Sequence, residues 1–421
     1  MTDLVREFRF ALRDGPLRLT VLAALVLSAL SVGLGIAEVA EQRRTIETVA
    51  AADAAERAAA LEGQSDWGSA AYYAFHATYD PPSDIAFAAL GRRGDLPWRH
   101  RIRMLALEGQ IYEADTGNAA LSRAGFFDFA FVASVLAPLL VLLALHDVIA
   151  RERAAGRREL LESTAGGSNV FAWRALVRGG LIALSLVSPL FVGSVVAGAS
   201  ALGTVGIALV TIGHVALWSV LALLIARRTE AAPTAAAKLL GLWLLFVAVV
   251  PVAGRMTAEV ASPVPNGGDI LLTQREAVND AWDLPKEATM TAFLERHPQW
   301  AAGAEITEGF EWKWYYAFQQ VGDQVAEPLS VALREGVATR DRLMGLASLL
   351  SPTLATERLL TRLADTDAAA ARDYEACVRA FHAELRVFHY PLMFEDRAYD
   401  ERVLDDLPRW LNMACARKWG D

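Results

Sequence analysis

The sequence predicts an all-α polytopic membrane protein with about five transmembrane helices and two mainly helical extracytoplasmic segments. The main observation is a run of 48 residues, 179–226, that contains no Asp, Glu, Lys or Arg. A single helix of that length would extend roughly 70 Å, more than twice the hydrocarbon core of a bilayer. Two spans joined by a turn fit the run, and the small residues at 198–203 are the predicted turn. Composition agrees, because 54% of the 421 residues are hydrophobic while 21% are charged.

Three further apolar segments complete the predicted spans, and the basic residues around them set the orientation. Short segments rich in Arg or Lys are expected in the cytoplasm by the positive-inside rule. The predicted order is cytoplasmic N-terminus 1–18, first span 19–36, extracytoplasmic insert 37–125, second span 126–145, cytoplasmic loop 146–178, third and fourth spans 179–200 and 204–226, cytoplasmic loop 227–238, fifth span 239–254 and extracytoplasmic domain 255–421.

Both extracytoplasmic segments carry helical patterns. Residues 38–62 are strong helix formers and predict an extension of the first span, whereas 63–124 is rich in Pro and Gly. In the second segment an apolar stripe steps by four and three residues and predicts a core-facing helix: Tyr374, Val378, Phe381, Leu385 and Phe388. The two cysteines, Cys377 and Cys415, could pair outside the cytoplasm, and the sequence leaves that open.

Several classes of function lack their usual motifs. A net charge of −9 argues against nucleic-acid binding, which needs a basic surface. The sequence contains no P-loop, no Gly-x-Ser-x-Gly and no His-Glu-x-x-His, so no catalytic residue, metal site or cofactor is predicted. A metal site at His382, Glu384, His389 and Glu395, or a hydrolase built on it, is a weaker interpretation than ordinary histidines.

His214 is the one ionisable residue predicted near the middle of a span. An ionisable residue at that depth is a functional hypothesis by default. The favoured interpretation is structural, because the predicted spans offer no intramembrane Asp or Glu for a proton relay. We therefore predict a neutral imidazole that is hydrogen-bonded to a neighbouring helix, one turn from Trp218.

The cytoplasmic loop between the second and third spans is the most informative of the short segments. It begins as a charged helix, breaks at Gly166-Gly167-Ser168, and continues as a second helical piece that contains Trp173. A short amphipathic element fixed to two spans can receive force from a soluble partner. The alternative is a solvated loop that merely obeys the positive-inside rule, and composition alone does not separate the two.

Several stretches resemble the permease subunit of type-2 ABC transporters, the exporter-type class. They are most similar to a bacterial subfamily with a large external insert, catalogued as a domain of unknown function. The resemblance rests on residues 125–131 with 138–140, on the acid, Gly and Leu-Leu-x-Ser pattern at 152–163, on 241–245 with Pro251 and 263–265, and on 81–83 and 381–392. Together these stretches are distributed over nearly the whole chain.

The resemblance implies a subunit without a catalytic site, located in the bacterial inner membrane. It implies a homodimer or a second permease subunit and a separate ABC ATPase that docks on the loop. The size of the external segments 37–125 and 255–421 leaves room for a periplasmic or envelope partner. The residues that it places at the ATPase interface are Glu152, Gly156, Arg157, Arg158, Glu159, Leu160, Leu161 and Ser163.

Two departures from the family pattern accompany the resemblance. Where the family has two acids before the Gly, this chain has Glu152-Arg153-Ala154. Related permeases have six spans, and the sixth would be expected soon after Trp410. The alternative function is a membrane-anchored sensor or scaffold with an extracytoplasmic helical binding domain, although a sensor would need a larger cytoplasmic output segment.

Overall fold

A computed structural model describes residues 3–113, 127–163 and 169–417 of the chain. Helices make up 78% of the structure, which confirms the predicted all-α class. Five helical segments are long and apolar enough to cross a membrane, as predicted: Gly15–Leu61, Phe129–Ala154, Val170–Ala197, Ala201–Arg227 and Ala232–Ala261. The chain is therefore an all-α membrane protein.

The elements are numbered here in chain order. The helices are α1 Asp3–Ala11, α2 Gly15–Leu61, α3 Trp67–Tyr73, α4 Leu107–Tyr112, α5 Phe129–Phe131, α6 Ala137–Leu145, α7 Ala150–Ala154, α8 Arg158–Ser163, α9 Val170–Ala197, α10 Ala201–Arg227, α11 Ala232–Leu244, α12 Val250–Ala261, α13 Gly267–Asp280, α14 Lys286–Arg296, α15 Trp312–Ser348, α16 Pro352–Leu363, α17 Ala368–Phe394 and α18 Ala414–Arg417. Strands β1 His76–Tyr79 and β2 Arg99–Ile102 form one antiparallel pair. Single π-helical turns, Val132–Leu136 and Leu245–Val249, join α5 to α6 and α11 to α12.

The membrane helices form a bundle in which small residues allow close approach. Helix α9 ends at Gly198, whose φ of 68° is in the left-handed region that favours glycine. Ser200 then caps α10 by accepting a hydrogen bond from the Gly203 amide, so the turn falls where the sequence predicts it. A Cβ on Gly193 would lie 2.3 Å from Val32 Cγ1, which shows how closely α9 and α2 approach.

The residues beyond the bundle form one body, called the head here, made of 37–113 and 262–417. Its core combines residues from both segments, for example Trp67, Ile102, Tyr316 and Phe381. The outer half of α2 packs against this core through Ile46 and Leu61. The two predicted segments therefore fold together rather than as separate units.

Several details of the head differ from the sequence predictions or go beyond them. The two strands were not predicted, because four-residue strands between Pro and Gly breakers give no alternating pattern. The apolar stripe of α17 is confirmed, since Tyr374, Val378, Phe381 and Leu385 are all buried. Cys377 and Cys415 form a disulfide across a sequence separation of 38 residues.

One part of the head enters the bundle. The Ser351 hydroxyl, at the start of α16, donates a 2.6 Å hydrogen bond to the Phe246 carbonyl, in the middle of the α11–α12 segment. Helix α16 then packs against α10. The sequence prediction placed all of 255–421 beyond the spans and did not anticipate this insertion.

Candidate functional site

The three Arg-rich segments of the sequence meet at one end of the bundle, called the base here. Asp14 accepts hydrogen bonds from Arg178 at 2.7 Å and from Arg151 at 3.4 Å. Arg153 donates to the Thr229 carbonyl at 3.0 Å. The N-terminal segment, the 146–178 loop and the 227–238 loop are thus held together by charged side chains.

Glu152 belongs to a chain of ion pairs at the base that is buried except at Arg157. Its two carboxylate oxygens accept from Arg174 and from Arg157, each at 2.8 Å. Arg174 also reaches Glu7 of α1 at 2.8 Å, and Glu7 is almost fully buried. Because its oxygens are engaged inside the chain, Glu152 fixes α7 to α9 and α1 rather than presenting a free charge.

Gly156 makes the turn that directs α8 away from α7. Its φ of 66° lies in the left-handed region, so any other residue would be strained there, and a Cβ would have no heavy atom within 4 Å. The open space around it means that backbone conformation, rather than crowding within this chain, accounts for the glycine.

Helix α8 carries the remaining predicted interface residues. Leu161 packs against a small apolar cluster with Ile149 and Phe171, whereas Leu160 is 67% exposed. Arg158 pairs with Glu162 at 3.0 Å along the helix surface. The exposed residues around Leu160 include Arg157 and Glu159. The Ser163 hydroxyl donates to the Leu160 carbonyl.

Two of the sequence-based statements lie outside the described residues. The predicted break at Gly166-Gly167-Ser168 falls within 164–168. The start of the 125–131 stretch falls within 114–126.

His214 is buried and bonded on both sides. Its Nε2 lies 3.1 Å from the Ser134 carbonyl, which can only accept, so Nε2 carries the proton. Nδ1 of the neutral ring then accepts from the Thr356 hydroxyl at 2.8 Å. The predicted bond to a neighbouring helix is present, and the second bond, to α16 of the head, was not foreseen. Trp218 lies at 6.4 Å between ring centroids, as an edge-on neighbour.

The head contains four buried histidines whose environment disfavours a positive charge. Burial lowers the pKa of His76 and of His389 to about 3 and the pKa of His100 to about 4. Burial also holds the pKa of His382 well below its usual value, and its Nε2 is bonded to the Leu105 carbonyl at 2.8 Å. Within the described residues, no group of three or more His, Cys, Asp or Glu side chains is arranged to hold a metal ion.

A large cavity separates the head from the outer end of the bundle. It has a volume of about 1070 Å³ and is bounded by the start of the second span, α12, α15, α16 and the first turns of α17. Residues from both parts line it, among them Phe131, Ala258, Arg340 and Glu357. Sequence reasoning missed it, because its walls come from segments more than 200 residues apart.

Comparison with known families gives one match. The model of a family described as Domain of unknown function (DUF3526) matches residues 270–411, about a third of the chain. The matched range covers α13 to α17, and hence most of the head and the inserted helix α16. No curated protein and no solved structure matches the chain.

Proposed function

We propose that this chain is the transmembrane permease subunit of an ABC transporter of the exporter type, working with ATP hydrolysed by a separate subunit. The observation that carries the proposal is the α7–α8 element at the base. Its attachment through Glu152 and Arg174 is buried, whereas Leu160 of α8 faces outward. A force applied to α8 would therefore pass into α9 and α1 rather than bend a loose loop.

The proposed orientation places the base in the cytoplasm and the head outside the inner membrane. Two observations support it. The Arg-rich segments gather at the base, as the positive-inside rule requires of cytoplasmic loops. The head contains a disulfide, Cys377–Cys415, and disulfides persist in oxidising compartments outside the cytoplasm.

The interface residues have different roles in this proposal. Leu160 would insert into an apolar pocket of the ATPase, because an exposed aliphatic side chain ringed by charges suits an interface core. Arg157, whose side chain is 56% exposed, and Arg158 would select the orientation through charge. Glu152 would act as a positioning residue from inside the chain.

The α11–α12 segment supports a partner within the membrane. Only 11% of its most apolar 18-residue stretch is buried, whereas 61% of the corresponding stretch of Phe129–Ala154 is buried. This leaves an apolar helix face free for a second permease copy or for lipid. We propose a homodimer or a related second permease subunit on this face.

A second candidate function is a membrane-anchored sensor or scaffold whose head binds a ligand or an envelope protein. The cavity between head and bundle favours it, because a sensor needs a ligand site. The two functions differ at the base, where only a transporter requires an ATPase.

The test is affinity purification of the tagged full chain from its native host in mild detergent, with identification of the copurifying proteins by mass spectrometry. We expect a stoichiometric P-loop ATPase with the unaltered chain and its loss with Leu160→Glu. The matched control is Leu411→Glu, because Leu411 is 64% exposed on the head and Leu160 is 67% exposed on α8.

Three outcomes are informative. Loss of the ATPase with Leu160→Glu alone would support the coupling role of α8. Retention with both variants would remove that role. Recovery of an envelope protein without any ATPase would favour the sensor or scaffold. Glu152→Lys with Gly156→Trp should also lose the ATPase, but this double variant changes the internal ion pairs as well.

A further inference from the structure

The lining of the cavity between head and bundle contains two groups of side chains, called its apolar end and its basic end here. The apolar end comprises Val135, Met344 and Leu354, and the bundle also contributes the charged residues Asp128, Arg255 and Glu259 to the lining. Val135 follows Ser134, the residue whose carbonyl is bonded to His214 in the middle of α10. The apolar end therefore reaches into the depth of the membrane helices.

The other end is basic. Three arginines on three helices, Arg340 of α15, Arg358 of α16 and Arg372 of α17, line the cavity around Asp341. Arg358 Nη1 lies 2.8 Å from Asp341 Oδ1, and Arg372 Nη2 lies 3.4 Å from Asp341 Oδ2. One carboxylate is thus shared by two guanidinium groups.

The arginines keep unused hydrogen-bond donors. Arg340 Nε donates to the Ser262 carbonyl at 2.8 Å, and no carboxylate of the described residues forms an ion pair with Arg340. Arg372 Nη1 is buried without an acceptor among the described residues. A guanidinium has five N–H donors, so this group can donate hydrogen bonds to the oxygens of a further anion.

The lining as a whole is not basic, because it contains seven acidic residues and six arginines. Most of the acids are engaged elsewhere: Asp95 pairs with Arg92, Glu375 pairs with Arg379, and Asp367 caps α17. Asp128 accepts from the backbone amides of Leu90 and Phe131, and Glu259 pairs with Arg255. Glu357 lines the cavity without an ion pair to a described residue. Among the described residues of the lining, the two acids without another partner are Asp341 and Glu357, so positive charge exceeds negative charge by one only around Arg340, Arg358 and Arg372.

We propose that this cavity binds an anionic amphiphile, a phosphate-bearing lipid whose head group contacts Arg340, Arg358 and Arg372. Its hydrocarbon chain lies at the apolar end, beside Val135, Met344 and Leu354. The volume of about 1070 Å³ lies just above the usual range for small-molecule sites, which suits a ligand with a long hydrocarbon chain. This inference does not depend on the ATPase, because the site lies at the opposite end of the bundle from α8.

The test is a binding titration of the purified full chain in detergent with fluorescently labelled phosphatidic acid. Labelled phosphatidylcholine with the same chains tests head-group selection, and inorganic phosphate as a competitor tests whether the site holds free phosphate. We expect phosphatidic acid to bind at least tenfold more tightly than phosphatidylcholine, and millimolar phosphate to displace it poorly.

Two variants test the two ends. Arg340→Gln with Arg358→Gln should weaken phosphatidic acid binding at least tenfold, whereas Arg342→Gln should not, because Arg342 is exposed on the same helix and does not line the cavity. Met344→Trp should fill the apolar end and weaken binding similarly. Its control is Met256→Trp, because Met256 is 61% exposed on α12 and outside the lining.

Each result decides between alternatives. Equal binding of the two lipids, or unchanged binding by Met344→Trp, would overturn the proposal. Displacement by phosphate at the affinity of the lipid would show a free-phosphate site instead. If the double arginine variant does not fold, as judged by gel filtration, Met344→Trp decides the question without any change in charge.

Discussion

The bundle and the head pack their helices with different residues. The main core of the bundle is rich in alanines such as Ala24, Ala137 and Ala144, and Trp218 is its one fully buried aromatic among the described residues. The head core is dominated by aromatic side chains, among them Trp314 and Phe381. In lipid, helices associate by close approach and hydrogen bonding, whereas in water the burial of large apolar area stabilises the core.

Helix α16 shows that the way a helix packs depends on where it lies in the fold and not on which part of the chain it belongs to. It lies in the head segment of the chain, yet it is joined to the bundle by hydroxyl bonds from Ser351 and Thr356. Both hydroxyls are buried. We therefore expect the stability of the bundle to be sensitive to added volume and to unpaired buried charge. We expect the stability of the head to be sensitive to loss of its disulfide and to protonation of its buried histidines.

The largest effect is expected where α2 of the bundle contacts the backbone of the head segment at Phe87. A Cβ on Gly35 would lie 1.9 Å from the Phe87 carbonyl oxygen, so Gly35→Leu should abolish recovery of monodisperse protein in gel filtration. Gly33→Leu is the control, because a Cβ there meets nothing within 4 Å. Equal recovery of both variants would show that the contact between Gly35 and Phe87 can open without destabilising the protein.

The next effect is expected at the base. Arg174→Gln would leave Glu7 and Glu152 buried without their shared cation, which should destabilise the base by about 3–5 kcal/mol. Hydrogen exchange of residues 150–163 should become faster while the head is unchanged. Arg158→Gln removes a surface pair and should change exchange little. Unchanged exchange in Arg174→Gln would contradict the rigid attachment of α7.

A comparable or slightly smaller effect is expected from the disulfide of the head. Replacing Cys377 and Cys415 by Ala should lower the free energy of unfolding of the head by about 3–4 kcal/mol, because the bond closes a loop of 38 residues. Denaturant titration followed by hydrogen exchange should show the loss in the head and none in α9 and α10. A reducing agent should reproduce the shift in the unaltered chain and have no effect on the variant.

The smallest effect on stability, taken per residue, is expected from lowering the pH. The pKa values of His76, His100 and His389 in the folded head lie near 3 to 4, below the ordinary value of 6.5. The unfolded chain therefore binds protons first, and stability that is complete above pH 6.5 is lost as the pH falls toward 4. Each histidine should account for up to about 2 kcal/mol between pH 6.5 and 5.

The measurement is denaturant unfolding of the head at pH 7, 6 and 5, with the exchange of α9 and α10 as the internal reference. His100→Gln should reduce the slope of the unfolding free energy against pH by the contribution of one titrating histidine. A slope that is the same for the variant and the unaltered chain would contradict the assignment of His100 as a neutral buried side chain.

Particular residues show how far sequence reasoning reached. The charge-free run, the turn near Gly198 and the apolar stripe of α17 were predicted correctly, because each depends on residues that are close in sequence. The interior location of Glu152 was not predicted. Its partner Arg174 belongs to α9, two helices further along the chain, and no spacing rule joins the two residues.

By itself, the sequence determined the class of this protein and the positions of its membrane helices. The length and polarity of each segment decide whether it can remain in lipid, and neither depends on the rest of the chain. Only the packing of the helices establishes that two distant segments share one core, that α16 enters the bundle, and that Arg358 and Arg372 pair with Asp341 beside a cavity. These features depend on contacts between residues far apart in the chain, which arise only when the helices pack.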